Sequence, residues 1–240
     1  MIIIENFIKK ILRIFGLEIK RLSKNIHPLV SHKIDLLIDI GANIEQNSLI
    51  ARKIGYKNEI ISFEPLEDAY NKLLKNSKND PFWTIQKRCG IGNEIGKKII
   101  NVSKNSFSSS LLDISLEHVK VAKESKYIDK EEIDIITLDS FFDENQIGAN
   151  RIFLKIDTQG YEDKVLDGFS KNISRIYAVQ IELSTVELYE NQKLHSYFVK
   201  YFTENNFFLW NIERGFSNTK TGQNLQFEAI FINRNFYNSK

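Results

Sequence analysis

Apolar residues fall along the chain in short blocks whose spacing alternates between strand-like and helix-like. Leu36–Ile40 is a nearly continuous apolar run with one acid, Asp39, near its end, the pattern of a strand buried on both faces of a parallel sheet. Similar runs at residues 60–63, 82–86, 152–156 and 176–183 predict further strands. Between them, residues 46–54 (stopped by Gly55), 65–76, 162–166 (closed by Gly168) and 193–204 read as helices. Residues 133–137 alternate as a strand does, and Asp139 stands where it would cap a short helix containing Phe141 and Phe142. Strands that alternate with helices predict an α/β fold around a mostly parallel sheet. The last two aromatic strands, 207–212 and 227–232, flank the polar stretch 213–224 and read instead as a hairpin.

Three stretches are less regular. In residues 1–22, Ile4, Phe7, Ile8, Ile11, Leu12, Phe15 and Ile19 repeat at helical spacing, with Lys9, Lys10, Arg13, Lys20 and Arg21 among them. The order of charges does not fit a secretory signal. The arm reads first as a helix packed on the sheet or forming a homodimer, and second as a peripheral helix in a membrane interface. The expected division is therefore an N-terminal amphipathic arm over 1–30 and one domain over 31–240. Residues 97–103 predict an extra strand, and Asn105 to Ser110 form a serine-rich polar patch. Residues 116–127 read as a helical excursion suited to a lid or to substrate choice.

Composition narrows the classes. At 240 residues the chain is long enough for one sizeable α/β core and short for two. A net charge of +2 argues against a nucleic-acid binder that lives on phosphate contacts. A single cysteine, Cys89, rules out an internal disulfide and fits a reducing, cytoplasmic compartment, including the inner face of the membrane if the arm binds there. No apolar run approaches the roughly 20 residues of a spanning helix. With no histidine neighbouring it in sequence, Cys89 reads as a small buried residue.

Strand 36–40, the turn Gly41-Ala42-Asn43 and the following helix form the opening unit of a nucleotide-binding sheet. The turn has one glycine and lacks the G-x-G-x-x-G of dinucleotide folds, and no Walker lysine follows. The second strand ends in Glu64-Pro65, placing an acid about 20 residues beyond the turn, where it can accept both hydroxyls of a ribose. Asp39, Glu64, Asp157 and Glu182 all stand at the carboxyl ends of predicted strands, the edge at which open parallel sheets bind ligands. Four acids converging there exceed what turn-capping needs. The four histidines show no zinc-ligand spacing and no G-x-S-x-G elbow occurs, so neither a zinc site nor a hydrolase is expected, and a Mg²⁺ on Asp157 and its neighbours is allowed but not required.

The series Asp39-Ile-Gly41-Ala42-Asn43, Phe63-Glu64-Pro65, Thr137-Leu-Asp139, Lys155-Ile-Asp157-Thr-Gln-Gly160-Tyr-Glu162, Val165-Leu-Asp-Gly168 and Ile181-Glu182-Leu resembles the FkbM-type S-adenosylmethionine-dependent methyltransferases. The resemblance covers roughly residues 34–233, and Glu45 departs from it where that family usually has a second glycine. It implies a class I methyltransferase: a Rossmann-like, mostly parallel sheet with a C-terminal antiparallel hairpin strand. It also implies S-adenosyl-L-methionine as cofactor, held by Asp39, Gly41, Ala42, Asn43, Glu64 and Pro65, with Ser110 of the serine patch nearby. The expected reaction is O-methylation of a hydroxyl on a small molecule or glycan, with Asp157 as first candidate base and Glu182 second. Lys155 orients Asp157, acidifies the acceptor hydroxyl, or is a structural partner of a buried carboxylate. Two competing readings are a non-catalytic module that binds the same cofactor and, less favoured, a nicotinamide-dependent oxidoreductase.

Overall fold

The computed structural model describes residues 27–44 and 46–237. The amphipathic arm up to residue 26 and the departure at Glu45 lie outside the described residues. Strands β1 (Leu36–Ile40), β2 (Glu59–Phe63), β3 (Trp83–Ile85), β7 (Ile152–Ile156), β8 (Ile176–Ser184), β9 (Phe207–Arg214) and β10 (Gln226–Asn233) form one sheet. Its order is β3-β2-β1-β7-β8-β10-β9. The first five pair in parallel, while β10 inserts antiparallel between β8 and β9. The predicted α/β class and terminal antiparallel strand are both present.

β1 and β7 are buried at every position because helices cover both faces of the sheet. One face carries Ile38, Ile40, Leu154, Ile156, Val179 and Ile181 into a core with Phe142, Phe169 and Phe202. The opposite face is apolar only in its lower half, at Leu37, Phe153 and Ala178. Above those residues the same alternation brings up Asp39, Lys155 and Gln180, which pair across the β1–β7–β8 register. Polar groups thus line one end of an otherwise apolar face. Leu29, beside the short helix start at Pro28, packs into this second core.

A second, three-stranded sheet consists of β4 (Gly90–Ile91), β6 (Tyr127–Ile136) and β5 (Gly96–Ser103). Gly90 and Ile91 pair in parallel with Ile135 and Ile136 at the end of β6. The strand foreseen at 133–137 starts six residues earlier, at Tyr127, and the helical excursion shrinks to Leu116–Val121 and a single 3-10 turn. The helix over Leu138–Asn145 is capped by Thr137, whose Oγ1 accepts from Ser140 N, and not by Asp139. Asp139 instead accepts from the backbone N–H groups of Lys171 and Asn172. Ile100, Ile133 and Ile135 pack on Leu66 and Ala69, which sets the β5–β6 hairpin as a roof over the end of the main sheet.

Candidate active site

At the end of β1 the chain turns through Gly41, whose φ of +76° is open to glycine at no steric cost. A Cβ there would also overlap the carbonyl oxygen of Asp157, just beyond β7. Gly41 N and Ala42 N both donate to Phe63 O at 3.1 Å, joining this turn to the end of β2. Glu64 completes the joint. Its Oε2 accepts from Asn43 N at 2.7 Å and its Oε1 from Leu66 N at 2.8 Å. Burial pushes the Glu64 carboxyl up to about 7 despite those two N–H groups.

A cleft of roughly 1000 Å³, its open mouth included, runs from this joint to the ends of β7 and β8. Of the residues foreseen for the site, Gly41, Ala42, Asn43, Glu64, Pro65, Asp157 and Glu182 line it. Asp39, Lys155 and Ser110 do not. Asp39 lies wholly buried beneath the turn, where its Oδ2 accepts from Ser48 Oγ at 2.8 Å and its Oδ1 has no partner. Burial raises its carboxyl to about 6. Ser110 donates from Oγ to the carbonyl oxygen of Gln159 at 2.7 Å, while its neighbours Ser106, Phe107 and Ser109 face the cleft.

Beyond the turn, the ends of β7 and β8 carry a cluster of acids around one ammonium. Lys155, 2% exposed, reaches Glu228 Oε1 at 2.7 Å and Asp157 Oδ2 at 3.4 Å. Burial works against its charge, but Asp157 and Glu228 outweigh that and raise its proton affinity. Gln159 Nε2 donates to Asp157 Oδ1 and to Glu182 Oε2, both at 2.8 Å. Gln226 Nε2 also donates to Glu182 Oε2 at 2.8 Å. Burial, and then the Asp157 charge, push Glu182 well above the usual carboxylate range. Of this pair, Asp157 is the one that meets the Lys155 ammonium. Glu162 Oε1 accepts from Thr158 N, Gly160 N and Thr158 Oγ1, so the loop after Asp157 is fixed from below.

Residues 39–209 match the sequence profile described as the methyltransferase FkbM domain, which is most of the chain. The chain belongs to the FkbM methyltransferase family. That membership favours S-adenosylmethionine over a nicotinamide as the cofactor. A curated relative, the hexuronic acid methyltransferase AglP of Haloferax volcanii, is 26% identical over 149 residues. That match covers 62% of this chain and 56% of the length of AglP. Among solved structures, TehB from Haemophilus influenzae superposes with a TM-score of 0.47 at 8% identity, over 92% of this chain and 64% of that one. The SAM-bound magnesium protoporphyrin IX methyltransferase (ChlM) of Synechocystis PCC 6803 gives 0.46 at 9% identity, over 85% and 74%. Likeness at that level carries no argument about chemistry.

The cleft fits the family's cofactor. An ionised carboxylate has about four lone-pair positions, and Glu64 spends two on backbone N–H groups, leaving two for hydroxyl donors. Pro65, Leu66, Ile91 and Ile133 supply apolar walls beside it. Among the described residues no set of side chains is grouped to hold a metal ion, and no helix is long and apolar enough to cross a membrane. Sequence reasoning missed Gln159, Tyr189, Gln226 and Glu228. Gln159 lies inside a motif already singled out; the other three reach the site only through strand pairing and a loop return.

Proposed function

We propose that the protein transfers the methyl group of S-adenosylmethionine to a hydroxyl oxygen of a sugar, free or within a glycan, with uronic-acid-containing sugars the favoured class. The bond pattern of Asp157 and Glu182 at the cleft's far end carries this reading. A carboxylate acceptor would meet the Asp157 charge and be repelled, whereas a hydroxyl can donate to it. The relationship to a hexuronic acid methyltransferase supports a sugar as acceptor. Glu64 and the Gly41–Asn43 turn are assigned to the cofactor, with Asp39 bracing the turn through Ser48.

Bound cofactor supplies an electrophilic methyl group on a positively charged sulfur. Asp157 holds the acceptor hydroxyl by its hydrogen bond and takes its proton as the oxygen is methylated. Glu182, in its neutral form, donates to a neighbouring sugar oxygen. Lys155 is a positioning residue: it does not line the cleft and fixes the Asp157 carboxylate through Oδ2.

The test pairs turnover with binding. Purified protein is offered labelled cofactor with methyl glucuronide, UDP-glucuronic acid and neutral glycosides. Label should enter a product that survives mild alkali, as a methyl ether does. An alkali-labile methyl ester would overturn the choice of hydroxyl. Asp157→Asn should slow transfer by about 10²–10⁴ with cofactor affinity nearly unchanged. A variant that turns over at the wild-type rate removes Asp157 from the chemistry.

A further inference from the structure

Gln159 sits at the centre of the acid cluster with every polar atom of its side chain engaged. Its backbone is left-handed, with φ of +55°, and its carbonyl oxygen accepts from Ser110. Its Nε2 faces two carboxylate oxygens, which accept unless protonated, so the NH₂ end of the amide belongs there and Oε1 must point away. What meets Oε1 is the hydroxyl of Tyr189, at 2.8 Å, and that hydroxyl also lies 3.2 Å from Ser108 O. Both partners are acceptors, so Tyr189 is the donor.

Tyr189 is wholly buried. Its ring lies against the open face of Gly160, where a Cβ would come within 3.1 Å of it, and edge-on to His118. It does not line the cleft. The groups around Glu182 are Asp157, Lys155, Glu228, Glu162 and Tyr189 itself, and all but the lysine and the tyrosine are acids. In such company the amide has an alternative: with Glu182 protonated, a flipped Gln159 would accept from it through Oε1. What opposes that flip is Asp157 Oδ1, an acceptor that the amide oxygen would then face at 2.8 Å, while the Tyr189 hydroxyl holds the far end of the amide in place.

We infer that Tyr189 and Gln159 are positioning residues of the methyl transfer, Tyr189 fixing the amide of Gln159 so that its NH₂ group holds Asp157 and Glu182 apart and sets which of them keeps the proton. The same two residues tie the acid pair to the serine strap through Ser108 and Ser110, so the strap and the pair are held in one arrangement. This rests on the reading of Asp157 and Glu182 as the acceptor's partners.

The experiment follows the Glu182 carboxyl by ¹³C NMR in full-length protein, its signal identified by loss in Glu182→Gln. In Tyr189→Phe the titration midpoint should rise by more than about half a pH unit, because the amide no longer presents its donors reliably to the carboxylates. The acidic limb of the kcat/KM profile should move the same way, with affinity for S-adenosylhomocysteine within about threefold of wild type. Gln159→Glu, which replaces the shared donor by a third acid, should raise the midpoint by about one unit or more. A lowered melting temperature with an unmoved midpoint in both variants would make the pair merely structural and overturn the inference. If Asp157→Asn and Glu182→Gln both turn over normally, the catalytic reading fails instead, and the titration still decides whether Tyr189 and Gln159 set the proton.

Discussion

Glu64 is the residue on which cofactor affinity should depend most, and its burial makes the test quantitative. Only 3% exposed, it gives one oxygen to Asn43 N and the other to Leu66 N. Glu64→Gln keeps the shape but turns one oxygen into a donor, facing one of those N–H groups with nothing to accept it. Two hydroxyl donors of a ribose would each form a charge-assisted bond worth about 1.5–3 kcal/mol, part of which water returns. Loss of one such bond should weaken S-adenosylhomocysteine binding about tenfold or more, and Glu64→Ala, which loses both, about a hundredfold. Hydroxyl donation favours the ionised form, whereas the free carboxyl is raised to about 7. Binding should therefore release a proton, and affinity should fall as pH drops below about 7. Stability runs the other way. A carboxyl whose folded value is raised from 4.5 to about 7 favours the fold fully below 4.5, and that contribution is lost as pH rises through about 7. The loss is on the order of 3 kcal/mol. Asp39 and Glu162 shift stability in the same direction and His118, lowered to about 4, in the opposite one. The comparison of variant with wild type cancels these. Calorimetry in buffers of different ionisation enthalpy, from pH 5.5 to 8, reads both quantities. Equal affinity in wild type and Glu64→Gln, or binding without proton release in wild type, would refute the assignment.

Two further outcomes are expected. Gly41→Ala forces a left-handed alanine against the Asp157 carbonyl. It should cost about 3 kcal/mol or more and abolish cofactor binding, read as melting temperature and calorimetric titration; a melting temperature within about 2 °C of wild type would contradict this. Removing residues 1–22 should leave cofactor affinity unchanged, since among the described residues the cleft's lining begins at Ile40, while retention on vesicles of anionic lipid separates the two readings of the arm. Equal retention of full-length and truncated protein would set the membrane reading aside in favour of packing or a homodimer.

The sheet was legible where burial is two-sided. β1 and β7 are apolar runs because no position along them meets water, and their terminal acids stand out for the same reason. The roof was legible only in part. Residues 127–132 of β6 are mostly polar and exposed, and become a strand because β5 pairs with them, which no local pattern announces. Thr137 and Asp139 are both capping residues two positions apart; what decides between them is the chain at Lys171 and Asn172, which claims the aspartate. In the site, Lys155 and Asp157 stand two residues apart at the end of β7 and their side chains meet at 3.4 Å. The stronger partner of Lys155, Glu228, arrives because β10 runs antiparallel to β8 and sets Glu228 opposite Glu182. Register, not composition, makes that contact.

The same register poses an energetic problem. Asp157, Glu182 and Glu228 crowd one buried ammonium, and burying more carboxylate than cation is costly. The chain meets this with neutral donors: Gln159 and Gln226 to Glu182, Gln159 to Asp157, and Gln180 to Glu228. Further lysines there would have satisfied the same oxygens but erased the negative field at the cleft's end. Amides satisfy them and leave the field in place. On the proposed reading that field favours a positively charged sulfonium beside it, disfavours a carboxylate acceptor, and draws the proton from a hydroxyl.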